Sequence, residues 1–132
     1  MAPKKTWAPA DGTEHRAALL PRPVIWVGSS KDDISALPAA VKGSFGHRLR
    51  QVQEGRVPLD MRPLRQFGPG VFELREHFDK NAYRLMYVVL KKAVYVLHAF
   101  MKKSKSGIGI PRLEVELIEA RLKRARRQDA EG

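Results

Sequence analysis

The chain has 132 residues, of which 25 are lysine or arginine and 14 are aspartate or glutamate, so its formal net charge is +11. This length suits one domain, and a hydrophobic content of 43% is enough for one modest core. The positive charge predicts a polyanionic partner such as nucleic acid, an acidic protein surface or anionic lipid. Because the chain has no cysteine, disulfides, thiolate zinc sites and cysteine nucleophiles are excluded.

The sequence also lacks the signals of membrane insertion or secretion. No apolar run approaches the ~20 residues that cross a bilayer, and the N-terminus lacks the apolar stretch of a secretory signal. We therefore expect a soluble cytoplasmic protein without a membrane partner. Residues 1–21 are rich in alanine and proline and show no sustained periodicity. They are predicted to form a flexible extension before a folded domain at residues 22–132.

The first half of the domain is predicted to contain one strand and two helices. The β-branched run "PVIWV" at residues 23–27 is typical of a buried strand. A short helix is predicted from Ser30, and Pro38 ends it and opens the next. The second helix carries one apolar stripe, in which the residues are spaced by four, four and three: Val41, Phe45, Leu49 and Val52.

The hydrophobic period then changes from helical spacing to alternation, which predicts an antiparallel meander. Its strands are "MRPLRQFG" at the edge, then "VFELREHF", "YRLMYVVL" and "AVYVLHAFM". Turns are predicted at residues 79–82 and 91–92, and Pro111 opens a last helix. The predicted fold class is α+β, a small antiparallel or mixed sheet with two N-terminal helices packed on one face and a C-terminal helix.

Alternation gives the meander one charged face. Glu73, Arg75 and His77 share that face, because successive strand residues point to opposite sides. With a four-residue turn at 79–82 and a two-residue turn at 91–92, we expect His77 opposite Arg84. The same register places Arg84 opposite Ala99.

The other face is expected to be the core against which the helices pack. His98 and Phe100 fall on it, and His98 is predicted to be a hydrogen-bonded core histidine rather than a catalyst. Glu76 also falls on this face, and a carboxylate there is a sign of a bulge that shifts the register by one residue.

The charged face suits a phosphate ligand. Arg75 and Arg84 repel each other on neighbouring strands, and a phosphate between them relieves that repulsion. Near a scissile phosphate they would stabilise the extra negative charge of the transition state, while His77 would move a proton. Arg84 is expected on a solvated surface, so that Arg84→Ala would remove activity with little effect on stability. The alternative is that this face is only the solvated side of a half-covered sheet.

Basic residues continue beyond the last strand. Residues 102–127 hold nine lysines and arginines against three glutamates. Lys103, Lys105 and Arg124 are predicted to contact the phosphates of a nucleic acid. Four scattered histidines without cysteine offer no metal-ligand spacing, and no P-loop or dinucleotide motif occurs, so neither a metal nor a small-molecule cofactor is expected.

Two motifs carry a family resemblance. "YRL" at residues 83–85 and "HAFMKK" at 98–103, followed by a basic helix, make the chain similar to the RelE/ParE superfamily of bacterial toxins. The phage-related HigB-type branch is the most similar, over residues 23–127. The resemblance implies a metal-independent, ribosome-dependent endoribonuclease that cuts mRNA in the decoding site. It also implies a cognate helix-turn-helix antitoxin as partner, and attack of the RNA 2′-hydroxyl on the adjacent phosphate.

The resemblance also assigns roles to single residues. Arg84 matches the phosphate-contacting arginine of the "YRL" strand, and Arg75 matches a basic position on the preceding strand. Lys102 and Lys103 lie where the family places a basic residue, and Lys102 is expected to complete the catalytic phosphate cage with Arg75 and Arg84. The C-terminal helix lacks the tyrosine that some members use, so proton transfer stays open between His77 and Lys103. Two other functions also stay open, a ParE-like gyrase inhibitor without enzymatic activity and a basic nucleic-acid-binding module.

Overall fold

A five-stranded mixed sheet forms the centre of the molecule in the computed structural model, which describes residues 21–102 and 109–131. The strand order is β1-β5-β4-β3-β2, with β1 parallel to β5 and the other pairs antiparallel. This confirms the predicted α+β class. The elements are β1 (Val24–Trp26), α1 (Ser30–Ser35), α2 (Ala39–Gln53), β2 (Met61–Pro63), a 3-10 turn (Arg65–Phe67), β3 (Val71–Phe78), β4 (Asn81–Val89), β5 (Val94–Lys102) and α3 (Arg112–Glu131).

The predicted stripe of α2 packs on one face of the sheet. All four of its members are at most 3% exposed: Val41, Phe45, Leu49 and Val52. They join a core cluster with Leu74, Leu85 and Tyr87 from β3 and β4, and Ile34 brings α1 into the same cluster. The two N-terminal helices therefore pack on one face, as the apolar spacing predicts.

Helix α3 packs on the opposite face, so the expectation that all helices share one face is wrong. A second core cluster contains Met86 and Leu97 from the sheet and three residues of α3: Ile118, Leu122 and Ala125. On the face that carries Arg84, the half nearest the β4–β5 turn is thus apolar and includes Met86 and Val88. An apolar sheet surface is stable only when another element packs on it, and α3 does so here. No helix in the described residues is long and apolar enough to cross a membrane.

The β3–β4 turn is shorter than predicted, so the pairing of β3 with β4 differs from the predicted register. The strands end at Phe78 and restart at Asn81, which leaves Asp79 and Lys80 as a two-residue turn. Both turn residues have positive φ, 51° and 68°, the conformation that tight hairpins favour. Arg84 consequently lies opposite Arg75 rather than His77.

A bulge in β5 makes the pairing of β4 with β5 differ from the predicted register. The 91–92 turn has two residues as predicted, and Val89 pairs with Val94 beside it. Further along, Tyr87 pairs with Val96 but Met86 pairs with His98, so Leu97 is one extra residue in β5. Beyond the bulge Arg84 faces Phe100 and not Ala99. His98 and Phe100 therefore move from the predicted core face to the face of Arg84.

Glu76 does lie on the α2 face, where it has a cationic partner. Arg48 Nη2 lies 2.7 Å from Glu76 Oε1, and Ser44 Oγ donates to the same oxygen at 2.6 Å. The Arg48 side chain is 9% exposed. An ion pair between α2 and β3 therefore accounts for this carboxylate without a bulge in β3.

Arg22, the second of the described residues, is buried and held by hydrogen bonds. Arg22 is 3% exposed, its backbone N donates to Gln53 O at 2.9 Å, and its Nε donates to Leu90 O at 2.9 Å. Residues 1–20 lie outside the described part, so the predicted extension over 1–21 stays a prediction.

One carboxylate joins the end of α3 to the β4–β5 turn. Asp129 accepts backbone hydrogen bonds from Lys91 at 3.2 Å and Lys92 at 2.9 Å, and the Tyr95 hydroxyl donates to it at 3.0 Å. Burial and the Asp129 carboxylate raise the pKa of Tyr95 to about 12, so the phenol stays a donor at neutral pH. The last turn of α3 is thereby held against the hairpin.

We expect Asp129→Ala to lower the free energy of unfolding by about 1–3 kcal/mol, because three donors lose a charged acceptor. Urea unfolding followed by circular dichroism measures the change. The matched control is Glu131→Ala, which removes an exposed carboxylate two residues later. Equal midpoints for the two variants would contradict the role given to Asp129.

Candidate functional site

Four of the predicted site residues lie on one face of the sheet, beyond the part that α3 covers. Arg75 on β3 pairs with Arg84 on β4, and the next row contains His77, Ala82 and Lys102. Paired residues of neighbouring strands point to the same side. Arg75, His77, Arg84 and Lys102 therefore form one surface, called here the basic face.

A buried carboxylate lies next to the two arginines. Glu73 is 1% exposed, and its two oxygens serve different partners. Arg75 Nε donates to Oε1 at 3.1 Å, while Arg84 Nε lies 2.9 Å from Oε2. Glu73 thus offsets the repulsion between the arginines and holds the Arg75 guanidinium by a hydrogen bond, while its contact with Arg84 is an ion pair without hydrogen-bond geometry.

Arg84 is buried, so the expectation of a solvated arginine is wrong. Its side chain is only 3% exposed, because the neighbouring strands and the covered half of the sheet surround it. Burial lowers the pKa of the guanidinium, the Glu73 carboxylate opposes that change, and Arg75 and Arg62 add to it. Removing one member of a buried ion pair leaves the other uncompensated, so Arg84 contributes to stability as well as to the site.

The buried arginine has one unsatisfied donor. Nη1 of Arg84 is itself buried and has no hydrogen-bond partner among the described residues. Arg75 is more accessible, with 35% of its side chain exposed. A phosphate oxygen is the acceptor that suits such donors, because arginine presents several N–H groups in a planar fork.

The remaining predicted site residues differ in their exposure and in their distance from the basic face. His77 is exposed and Lys102 is half-buried, in one row across β3, β4 and β5. Arg124 is exposed on α3, and no hydrogen bond or ion pair of the described residues links it to the basic face. Lys103 and Lys105 lie outside the described residues, so their contacts with RNA stay a prediction.

His98 forms a second polar cluster beside the basic face. Its Nδ1 is 2.9 Å from Asp33 Oδ2 on α1, and its Nε2 contacts Glu114 Oε1 on α3. Its ring stacks on Phe100, with centroids 5.0 Å apart. The prediction of a buried, hydrogen-bonded histidine is confirmed, and the residue joins both helices to β5.

Arg121 extends this cluster into the covered half of the sheet. Its Nη1 donates to Asp33 Oδ2 at 2.7 Å and to Leu97 O at 2.8 Å, and its Nη2 donates to Ser29 Oγ at 2.8 Å. The guanidinium passes so close to Gly28 that a Cβ there would lie 3.0 Å from Nε. A larger residue at position 28 would therefore crowd the Arg121 side chain. The φ of +58° at Gly28 also favours glycine.

Sequence reasoning left Glu73 without a role and missed Arg121 entirely. For Arg121 a signal exists, because it lies three residues after Ile118 on the inward side of an amphipathic helix. For Glu73 the signal is a lone carboxylate on a face rich in arginine. Among residues 21–102 and 109–131, no group of three histidine, aspartate or glutamate side chains is arranged to hold a metal ion.

Comparison with known proteins agrees with this architecture. A doubly substituted variant of the E. coli toxin RelE in the free state matches with a TM-score of 0.54 and 19% identity, over 80% of this chain and 98% of that one. The toxin–antitoxin complex RelBE2 from Mycobacterium tuberculosis matches with a TM-score of 0.47 and 22% identity, over 65% of this chain and 97% of that one. No curated protein sequence matches the chain.

The family model "Phage derived protein Gp49-like (DUF891)" matches residues 32–123, more than two thirds of the chain. This range contains α2, all the antiparallel strands and the first part of α3, including Ile118 and Leu122. The match and the fold shared with RelE confirm the resemblance to the phage-related branch of the RelE/ParE superfamily. The chain therefore belongs to the phage-derived Gp49-like protein family.

Proposed function

We propose that the chain is the toxin of a type II toxin–antitoxin system and that it cleaves mRNA in the decoding site of the ribosome. The family and the RelE-like fold support the toxin class. The observation that carries the cleavage proposal is the pair Arg75 and Arg84, held by one buried carboxylate and supplied with an unpaired guanidinium N–H. A gyrase inhibitor has no need of such a phosphate site.

The reaction requires no metal in this proposal. The 2′-oxygen of the RNA attacks the adjacent phosphorus, the bond to the 5′-oxygen breaks, and a cyclic phosphate and a free 5′-hydroxyl result. Arg84 and Arg75 bind the non-bridging oxygens, whose negative charge grows in the transition state. The proton of the 2′-hydroxyl passes to a base, for which His77 and Lys103 are the candidates, and the leaving oxygen takes up a proton.

Partners and location follow from the same proposal. The net charge of +11 favours binding to ribosomal RNA and mRNA, which are polyanions. A cognate helix-turn-helix antitoxin would neutralise the toxin, and the site of action would be the cytoplasm, where translation occurs. Lys103, Lys105 and Arg124 would supply contacts to RNA phosphates, and Lys102 would join Arg75 and Arg84 at the scissile phosphate.

Cleavage on purified ribosomes tests the function. The expected result is cutting of a bound mRNA at the decoding site, detected by mapping 5′ ends. An mRNA with one 2′-deoxy sugar at that position should stay intact there, because the nucleophile is absent. Equal cutting of both mRNAs would contradict the mechanism. Inhibition of DNA supercoiling by gyrase, without cutting of either mRNA, would replace cleavage by the gyrase-binding function.

Substitutions of Arg84 separate its two roles. Arg84→Ala should lower stability by about 3–5 kcal/mol, because Glu73 loses one of two cationic partners in a buried position. Arg84→Lys keeps the charge but loses the planar fork, so cleavage should fall about 100-fold while the protein stays folded.

Single-turnover cleavage and thermal unfolding measure these effects on the same preparations. Arg50→Lys is the matched control, because Arg50 is exposed on α2 and pairs with Glu54 at 3.1 Å. Full cleavage by a folded Arg84→Lys variant would remove Arg84 from the phosphate site.

A further inference from the structure

A third arginine lies beside the pair Arg75 and Arg84, on the edge strand β2. Arg62 pairs with Glu73 of β3, and paired residues of neighbouring strands point to the same side of a sheet. Glu73 is the carboxylate that contacts both Arg75 and Arg84. Arg62 therefore points to the side of the sheet that carries the basic face, one row away from the arginine pair.

The packing of β2 determines the side to which Arg62 points. Met61 and Pro63 alternate with it along the strand, so they point to the other side, where Met61 packs against the core cluster of α2. Beyond the strand, Leu64 N donates to Val71 O at 2.9 Å. A shift of β2 by one residue would turn Met61 away from the core and Arg62 into it, so the register is strongly determined.

The arginines outnumber the carboxylates at this point of the sheet. Glu73 forms ion pairs with Arg75 and Arg84, and it is the pairing partner of Arg62 on β3. Arg62 itself takes part in no ion pair or side-chain hydrogen bond with any other described residue. Burial is the main cause of the lowered pKa of Arg84, and the positive charges of Arg75 and Arg62 add to it. The cluster of three arginines therefore has an excess of positive charge that an anionic ligand would offset.

The exposure of the three arginines increases from the centre of the sheet to its edge. The side chains of Arg84 and Arg75 are 3% and 35% exposed, and Arg62 on the edge strand is exposed. Arg62 and Arg75 are diagonal neighbours across β2 and β3, a relation in which residues lie about 7–8 Å apart, within reach of long side chains. A ligand that binds all three arginines would extend from a buried centre to the solvent.

We propose that Arg62 binds a second phosphate of the RNA strand, next to the phosphate bound by Arg75 and Arg84. The ligand of this surface is then a pair of consecutive phosphates separated by one ribose, and the strand crosses β3 towards the edge of the sheet. Arg62 contacts no reacting bond in this arrangement, so it is a substrate-binding residue. The inference rests on the proposed function for the identity of the ligand, an RNA strand.

A charge on an edge strand also has a simpler role, because it discourages pairing with a second chain. That role requires only that the charge be exposed, and it predicts no difference between ligands with one phosphate and ligands with two. Binding of small phosphate ligands therefore separates the two roles of Arg62.

Adenosine 3′,5′-bisphosphate is a suitable probe, because it carries two phosphates on one ribose. Titration calorimetry at low ionic strength compares it with adenosine 3′-monophosphate and adenosine 5′-monophosphate. We expect the unchanged protein to bind the bisphosphate about tenfold more tightly than either monophosphate, since a charge-assisted hydrogen bond to arginine has this magnitude. Arg62→Gln should remove the preference and leave the affinity for the more tightly bound monophosphate unchanged.

Arg50→Gln is the matched control, because it removes the same charge from an exposed arginine on α2. It should keep the preference for the bisphosphate, and circular dichroism checks that both variants are folded. Equal affinities of the unchanged protein for all three ligands would overturn the proposal. A preference that persists in Arg62→Gln, or an equal loss in both variants, would also overturn it.

Cleavage kinetics on programmed ribosomes give a second measurement. Arg62→Gln should raise KM about tenfold and change kcat by less than about twofold, because the second phosphate is bound equally in the ground state and the transition state. A fall in kcat without a change in KM would place Arg62 at the reacting phosphate and overturn the proposal. If the unchanged protein cuts no mRNA but prefers the bisphosphate through Arg62, the cleavage function fails and the site for two phosphates stands. Cleavage that Arg62→Gln leaves unchanged has the opposite meaning.

Discussion

The bulge at Leu97 is the constraint on which both faces of the sheet depend. Before it, β5 sends Val94 and Val96 to the α2 face and Tyr95 to the α3 face. After it, the alternation is reversed, so that Phe100 and Lys102 join Arg84. One extra residue therefore lets the first half of β5 fill two cores, while its second half completes a polar surface.

The bulge is itself held by side chains from two helices. Leu97 O accepts from Arg121 on α3, and Arg121 also bonds to Asp33 on α1. The next residue, His98, contacts Asp33 and a carboxylate of α3, Glu114. These five groups satisfy one another's hydrogen bonds, which stabilises the irregular backbone at the bulge. The geometry of the basic face is thus fixed by contacts outside it.

Much of the fold could be predicted from the sequence, because it follows from periodicity. The apolar stripe of α2 and the alternation of β3 identify their buried sides without knowledge of any partner. The presence of Arg75, His77 and Arg84 on one face also follows from alternation, since an error of two residues in register preserves the face. Elements that repeat a short-range pattern are therefore predictable from the chain alone.

The rest depends on geometry that leaves little trace in the sequence. Asp79 and Lys80 adopt positive φ without the glycine that normally marks such a turn, so the turn was predicted too long. The bulge at Leu97 has no residue signal at all. The burial of Arg84 depends on which face α3 covers, and both faces of β4 are apolar enough to accept a helix. The turn length, the bulge and the burial of Arg84 therefore depend on tertiary packing.

The pairing of β1 with β5 has a consequence for the order of folding. Val24 lies beside Val94, and Ser29 is bonded to Arg121, 92 residues later. Contacts of such long sequence separation carry a large loop-closure entropy and form slowly. During synthesis the first strand must wait until most of the chain has emerged before it finds its neighbour. The hairpin of β3 and β4 can form earlier, but Phe100 and Lys102 reach Arg84 only with the penultimate element. A nascent or truncated chain that ends before β5 thus has both arginines but lacks the surface around them.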